Sequence, residues 1–278
     1  MYKITISLSF IFLFIFSSEA QNPSKVKGNK NIIIEQTALN AFHTIVVDED
    51  FEIEIIQKDT PTVIIETDEN LHEFIAFEVT DSILSFNKTA KITSKKKLKI
   101  TVNYDENLSN IIVKDYAEIN SLTFVDFENG SLITHGNAKT DLLIKANSFN
   151  FQGFEKSKVK LNLTSENASI ELSNNCKLDA ALFVSQTQMT LNEQSIATLD
   201  GNSDFVDLKT NDRSNFKGKD FLIETANIIA ETSSDVTINA SNEVTIEASG
   251  TSNIYLYNNP KIIINRFTDT VKLQKKTQ

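Results

Sequence analysis

From Ala117 to Ser252 a single pattern of apolar and polar positions recurs. Small residues stand at Ala117, Ala138, Ser157, Cys176, Ser195, Ser214, Ser234 and Ser252, at successive separations of 21, 19, 19, 19, 19, 20 and 18 residues. Six positions before each of these anchors is a large apolar residue: Ile111, Leu132, Phe151, Ile170, Met189, Leu208, Ile228 and Ile246. Two positions after them come Ile119, Thr140, Val159, Leu178, Ala197, Phe216, Val236 and Ile254, of which only Thr140 is polar. The residues just before the anchors are polar, as in Asn174-Asn175, Glu193-Gln194, Asp212-Arg213 and Thr232-Ser233. At this chain's apolar content an unbroken column of eight arises by chance about once in a thousand registers, so the repeat is real.

The offsets predict strands. Positions two and four after the anchor alternate with polar neighbours, as in Val159-Lys160-Leu161, and so do positions six and four before it, as in Ile170-Glu171-Leu172. Period-two alternation puts one face of each strand inward. The pattern therefore predicts at least two short strands per period, joined by a polar corner at the anchor, where a tight turn leaves room only for a small inward side chain. A unit of this size cannot bury its own apolar side and must stack on its neighbours. Parallel stacking at about 4.8 Å per coil gives an all-β, right-handed parallel β-helix, a rod of roughly 34 Å over seven intervals. A propeller needs about 40 residues per blade, and frequent hairpins need glycine-rich turns. With seven glycines in the chain, both are disfavoured.

Outside the repeat the patterning changes. Lys3 precedes an apolar run from Ile4 to Phe16, then Ser18-Glu19-Ala20. This predicts a signal peptide over residues 1–20, cleaved before Gln21; the run is too short to span a bilayer core of roughly 30 Å. Residues 21–40 read as a flexible leader and a first strand, the polar part Gln21–Asn31 being the leader. Residues 41–275 read as one domain: strands over 41–110, repeat coils over 111–254 and a closing cap over 255–275. In the first part Thr44–Val47, Phe51–Ile55, Val63–Glu66, Phe74–Val79, Ile83–Phe86 and Leu98–Val102 suit half-buried strands. Asp68-Glu69-Asn70 and Lys95-Lys96-Lys97 read as turns between them, the lysines at a solvated hairpin tip.

At both ends the residues resemble a family of exported proteins of Bacteroidetes-type bacteria, the "putative auto-transporter adhesin, head GIN domain" family. Phe42–Val47 followed by Phe51–Asp59 is similar to its first hairpin. Val63–Leu71 and Val79–Leu84 are similar to its next segment. Ser233-Ser234-Asp235-Val236 and Ala248–Ile254 resemble its recurring Ser-Gly-Ser-Gly-Asp-Val corner, and Tyr255–Ile262 its closing segment. The resemblance covers about Ala41 to Lys275 and implies a β-helical fold and an adhesive role. Most of the family's corner glycines are missing here.

Candidate chemistry is sparse. A net charge of −10 disfavours a nucleic-acid partner, which needs clustered Lys and Arg. His43, His72 and His135 lack metal-ligand spacing, so neither a metal nor another cofactor is expected. Cys176, the only cysteine, reads as a small buried side chain at an anchor rather than a reactive thiol. No catalytic residue is assigned. Asp204, Asp207, Asp212 and Glu224 are the carboxylates that neighbouring coils could bring together for a polysaccharide lyase or glycosidase. Asn174-Asn175, Asn192, Asn202, Asn211 and Asp212 are expected to form structural ladders at the corners. The resulting expectation is a non-enzymatic, exported envelope protein presenting a ladder-faced surface to a glycan or protein ligand. A homo-oligomer formed by end-to-end stacking is a further option, opposed by Pro260 and Lys275-Lys276 at the end.

Overall fold

The structure, a computed structural model, describes residues 24–277; the expected signal peptide, residues 1–20, lies outside the described residues. The chain forms a parallel β-solenoid of about nine turns with coils of about 19 residues. Successive coils pair in register. Lys158 pairs with Lys177 and Ile170 with Met189, then Lys177 with Ile196 and Met189 with Leu208. Side chains one period apart therefore stack in columns. The anchors and the columns at offsets −6 and +2 are all buried, Thr140 included.

From Lys139 to Ala248 each repeat coil is one long bent strand rather than two short ones joined at the anchor, whereas the Ala117 coil has two, Glu118–Ser121 and Val125–Thr134. Lys139–Gly153, Lys158–Leu172, Lys177–Leu191 and Ile196–Thr210 are strands of 15 residues. Along Lys177–Leu191 the inward residues are Leu178, Ala180, Leu182 and Val184, then Thr187, Met189 and Leu191. Ser185 and Gln186 both point outward between them. A one-residue slip of this kind exchanges the faces of a strand. The slip turns the chain while hydrogen bonding to the coils above and below continues. The anchor thus separates one coil from the next, and the second bend lies at offsets +9 and +10.

The anchor corner depends on left-handed backbone. Asp115, Glu155, Asn174, Glu193, Asp212 and Thr232, each two positions before an anchor, have φ between 50° and 65°. Gly136 and Gly250 fill the same position at 70° and 74°. Glycine adopts this conformation freely and other residues at a cost, least for Asn and Asp. The corner geometry therefore survives the loss of most glycines. The sequence assigned the anchors' small size to lack of space, but their chemistry also matters. Ser157 Oγ donates to Phe154 O, Ser234 Oγ to Glu231 O and Ser252 Oγ to Ser249 O, each at the start of its own corner. Ser195 and Ser214 donate to Leu172 O and Leu191 O, 23 residues earlier. A buried hydroxyl is tolerated when it is bonded in this way.

The columns run beyond the repeat visible in sequence. Glu52 pairs with Glu118, and Glu49 is left-handed, so Phe51 occupies the anchor position below Ala117. Lys272 pairs with Asn253, and Asp269 is left-handed, so Val271 occupies it above Ser252. Below Phe51 the chain makes an excursion that closes the rod. Ile83–Lys88 and Leu98–Tyr104 continue the stack in parallel, and antiparallel strands Ile75–Thr80 and Thr62–Asp68 then pair on their outer edges. Ile32–Ala38 adds antiparallel to Thr62–Asp68. The 3₁₀ segment Glu69–Phe74 buries Leu71 completely.

Two expectations fail at this end. The described part of the polar leader is ordered: Lys25–Lys27 pairs in parallel with Lys91–Ser94. Lys95–Lys97 is not a hairpin tip but the link from that small sheet back to the stack. Polar contacts hold both segments. The buried Asp68 carboxylate accepts backbone N–H groups from Lys30 and from Lys96, and Asn70 accepts from Asn29 N and donates to Lys27 O. Lys97 Nζ lies 2.6 Å from Glu66 Oε2. Burial alone would raise the Asp68 pKa, but the N–H donors outweigh it and hold the carboxyl below its ordinary value.

Candidate functional site: the two outer faces

Bending one strand per coil gives the rod two broad outward faces of opposite character. The first, built from offsets +1 and +3, carries a shallow groove of about 570 Å³. It is lined by charged side chains in stacked rows: Glu118, Lys139, Lys158 and Lys177 in one, Asp141, Lys160 and Asp179 in the next. Signs alternate along the second row, and in the first Lys139 pairs with Glu118.

The second face is built from offsets −9 and −7 and carries a groove of about 540 Å³. Asn129, Ser148, Asn167, Gln186 and Phe205 stack in one row; Ser131, Asn150, Ser169, Gln188, Asp207 and Asn227 stack beside it. Asp207 is the one charged residue lining this groove. Neighbours in a row are about 4.8 Å apart along the sheet. Among the described residues, the side chains of Asn150, Asn167, Gln186 and Gln188 make no hydrogen bond to protein. Their amides, each able to donate and accept, face solvent. The expected ladder of corner asparagines is not seen: of that set, Asn211 bonds to Asp212 and accepts from Thr232. The unbonded amides lie instead on this face, and a spacing of 19 between Asn129, Ser148, Asn167 and Gln186 was the signal for them.

The four candidate carboxylates are only partly gathered. Ser203 pairs with Ile223 and Phe205 with Thr225, which places Asp204 and Glu224 one above the other at the second bend. Asp207 lies past that bend on the neutral face, and Asp212 at the anchor corner. The histidines are dispersed. His43 Nδ1 is 2.8 Å from Thr44 Oγ1, His72 Nδ1 is 3.4 Å from Glu35, and His135 stacks on Phe154 at 4.8 Å. Among the described residues no group of three His, Cys, Asp or Glu is placed to hold a metal ion. Cys176 is fully buried in its column, 3.3 Å from Ser157 Oγ, and burial pushes its thiol up to about 11. A thiol so placed is a poor nucleophile at neutral pH.

Residues 41–260 match the family model described as "Putative auto-transporter adhesin, head GIN domain". The chain belongs to this family. A crystal structure of a putative adhesin from Parabacteroides merdae ATCC 43184 is 17% identical, with a TM-score of 0.62, covering 91% of this chain and 98% of that one. A putative adhesin from Parabacteroides distasonis ATCC 8503 is 16% identical, with a TM-score of 0.67, covering 91% and 100%. A putative lipid binding protein from the same strain is 15% identical, with a TM-score of 0.60, covering 90% and 100%. These likenesses establish the shared fold. No curated protein matches the chain. No helix among the described residues is long and apolar enough to cross a membrane.

Proposed function

We propose that this head GIN domain protein is exported to the cell envelope, in the periplasm, at the outer surface or beyond it, and works there as a non-enzymatic adhesin or scaffold. The neutral face is the binding surface, for a glycan or a protein. The observation that carries this reading is the pair of polar rows between Asn129 and Asn227, in which the amides of Asn150, Asn167, Gln186 and Gln188 are unbonded, repeated coil after coil on a rigid sheet. Amides fixed in rows match ligands that themselves repeat, such as a saccharide chain with its hydroxyls. Family membership and the adhesin descriptions of the structural neighbours point the same way. A glycan array is the direct test: binding should fall at least about tenfold, or 1.4 kcal/mol, in the double variant Asn167→Ala and Gln188→Ala. Lys160→Ala on the charged face should leave it unchanged. Equal losses from both would refute the assignment.

A second reading has one observation in its favour. Asp204 and Glu224 stand on paired strands about 4.8 Å apart, which can bring their carboxyl groups close to the roughly 5–5.5 Å that retaining glycosidases use. Release of reducing or unsaturated ends from a polysaccharide, abolished by Asp204→Asn or Glu224→Gln, would establish it and displace the adhesin reading.

A further inference from the structure

The last coil exposes the inside of the rod. In the coil beneath it Val244, Ile246, Ala248 and Ile254 are fully buried. Their in-register partners one level higher are Ile262, Ile264, Phe267 and Leu273. The first three are 44%, 50% and 39% exposed, since among the described residues no further coil covers them. Three inward-column side chains thus form an apolar end surface, a feature that marks an interaction site when it is contiguous.

The rim of that surface is cationic. Between residues 261 and 277 stand Lys261, Arg266, Lys272, Lys275 and Lys276 against one carboxylate, Asp269, in a chain with 27 Lys and Arg and 37 Asp and Glu. Lys261 is paired with Glu243, and Arg266 with Glu231 and Glu247. Lys272, Lys275 and Lys276 have no ion-pair partner among the described residues; Lys275 contacts Asn259, and Lys276 reaches Gln274 and lies 4.7 Å over the Tyr255 ring. Asp269 is occupied by the Gly250 N–H.

From this juxtaposition we infer that the carboxy-terminal end of the rod docks on an anionic lipid surface. Ile262, Ile264 and Phe267 enter the headgroup boundary while Lys272, Lys275 and Lys276 meet lipid phosphates. An apolar tip inside a basic rim is the arrangement that binds such surfaces reversibly, since apolar burial and electrostatic attraction act together. A second copy is a poorer occupant. Two such ends face to face would oppose their lysines, and the other end of the rod is closed over its core by Leu71 and by antiparallel strands.

The test is flotation of the mature chain with phosphatidylcholine vesicles, with and without phosphatidylglycerol. The protein should float only with the anionic vesicles. The triple variant Lys272→Glu, Lys275→Glu and Lys276→Glu should lose at least about tenfold in partitioning. Ile264→Ser with Phe267→Ser should leave weak binding that salt removes. All five side chains reach solvent, and an unchanged thermal melt confirms that each variant folds. Failure of the native chain to float, or flotation unaffected by the charge reversals, would overturn the proposal. So would light scattering in which mass grows with concentration and Ile264→Ser with Phe267→Ser abolishes the growth, since the end would then meet a second copy. Neither result bears on glycan binding by the neutral face.

Discussion

A coil in the middle of the rod and the coil at its carboxy-terminal end are built on the same columns but obey different rules. At Ser157, Cys176, Ser195 and Ser214 the anchor is small, buried and enclosed between identical corners. At the ends the same position holds Phe51 and Val271. Phe51 is accommodated because the first coil opens onto the cap, where it packs 5.8 Å from Phe86 under the Lys88 ammonium. Val271 is accommodated because no coil among the described residues lies above it. The small anchor is therefore a demand made by stacking on both sides and not by the corner alone.

This contrast sets the largest predicted effect. Ser195→Phe must fit a ring between Cys176 and Ser214 and also loses the bond to Leu172 O. Overpacking of this kind should cost about 3 kcal/mol or more. Val271→Phe, the same size at the same corner position, should cost less than about 1 kcal/mol. Lys160→Phe, on the charged outer face, should behave like Val271→Phe. Urea midpoints for the three variants decide the point, and comparable losses at Ser195 and Val271 would mean that the corner, not the stack, restricts the anchor.

The next effect separates the two ends. The amino-terminal end is fastened by Asp68, which gathers Lys30 and Lys96 through their backbone N–H groups, whereas at the carboxy-terminal end Asp269 accepts a single backbone N–H, that of Gly250 in the neighbouring coil. The Asp68 pKa is lowered in the fold, so its contribution is fully present above the unfolded value of about 3.9 and disappears as pH falls through the folded one. Acidification should therefore loosen residues 25–38 before the repeat coils. Hydrogen exchange or limited proteolysis between neutral and strongly acid pH would register it. Asp68→Asn should expose the same segment at neutral pH and leave strands Lys261–Phe267 and Lys272–Lys275 unchanged. If the carboxy-terminal strands fray first on acidification, the clasp does not control that end.

What could be read from the chain follows the same division. The repeat was legible because every interior coil imposes one constraint on the same offset, so Ile170, Met189 and Leu208 spell it out. The second bend was not, because Ser185 and Gln186 are polar neighbours that look like ordinary surface. The order of Lys25–Lys27 was invisible to hydropathy, since Asp68 and Asn70 hold that segment by hydrogen bonds to its backbone. The exposed coil end was hidden for the opposite reason: Ile262, Ile264 and Phe267 look like core, and they are surface only because no coil among the described residues lies above them. On the functional side the carboxylates were visible as residue types, but the pairing of Asp204 with Glu224 depends on the local register, which shifts between Thr198 and Asp200.

The smallest effect concerns the corners, where the covered coils carry strain that glycine would relieve. Glu193 and Gln194 are both left-handed, at φ 51° and 65°, and both side chains are exposed. A non-glycine residue pays about 1 kcal/mol or more for this conformation. Glycine also makes the unfolded chain more flexible, which takes back part of the gain. Glu193→Gly should therefore raise stability by about 0.5 kcal/mol, and Asn174→Gly by less, because an amide side chain already tolerates the left-handed region. Asp269→Gly at the open end should run the other way, since it removes the carboxylate that accepts the Gly250 N–H in the coil below. Opposite signs for Glu193→Gly and Asp269→Gly in urea titrations would show that a corner such as Glu193 is strained by its own backbone, while Asp269 on Gly250, like Glu155 on Gly136, is held by its side chain.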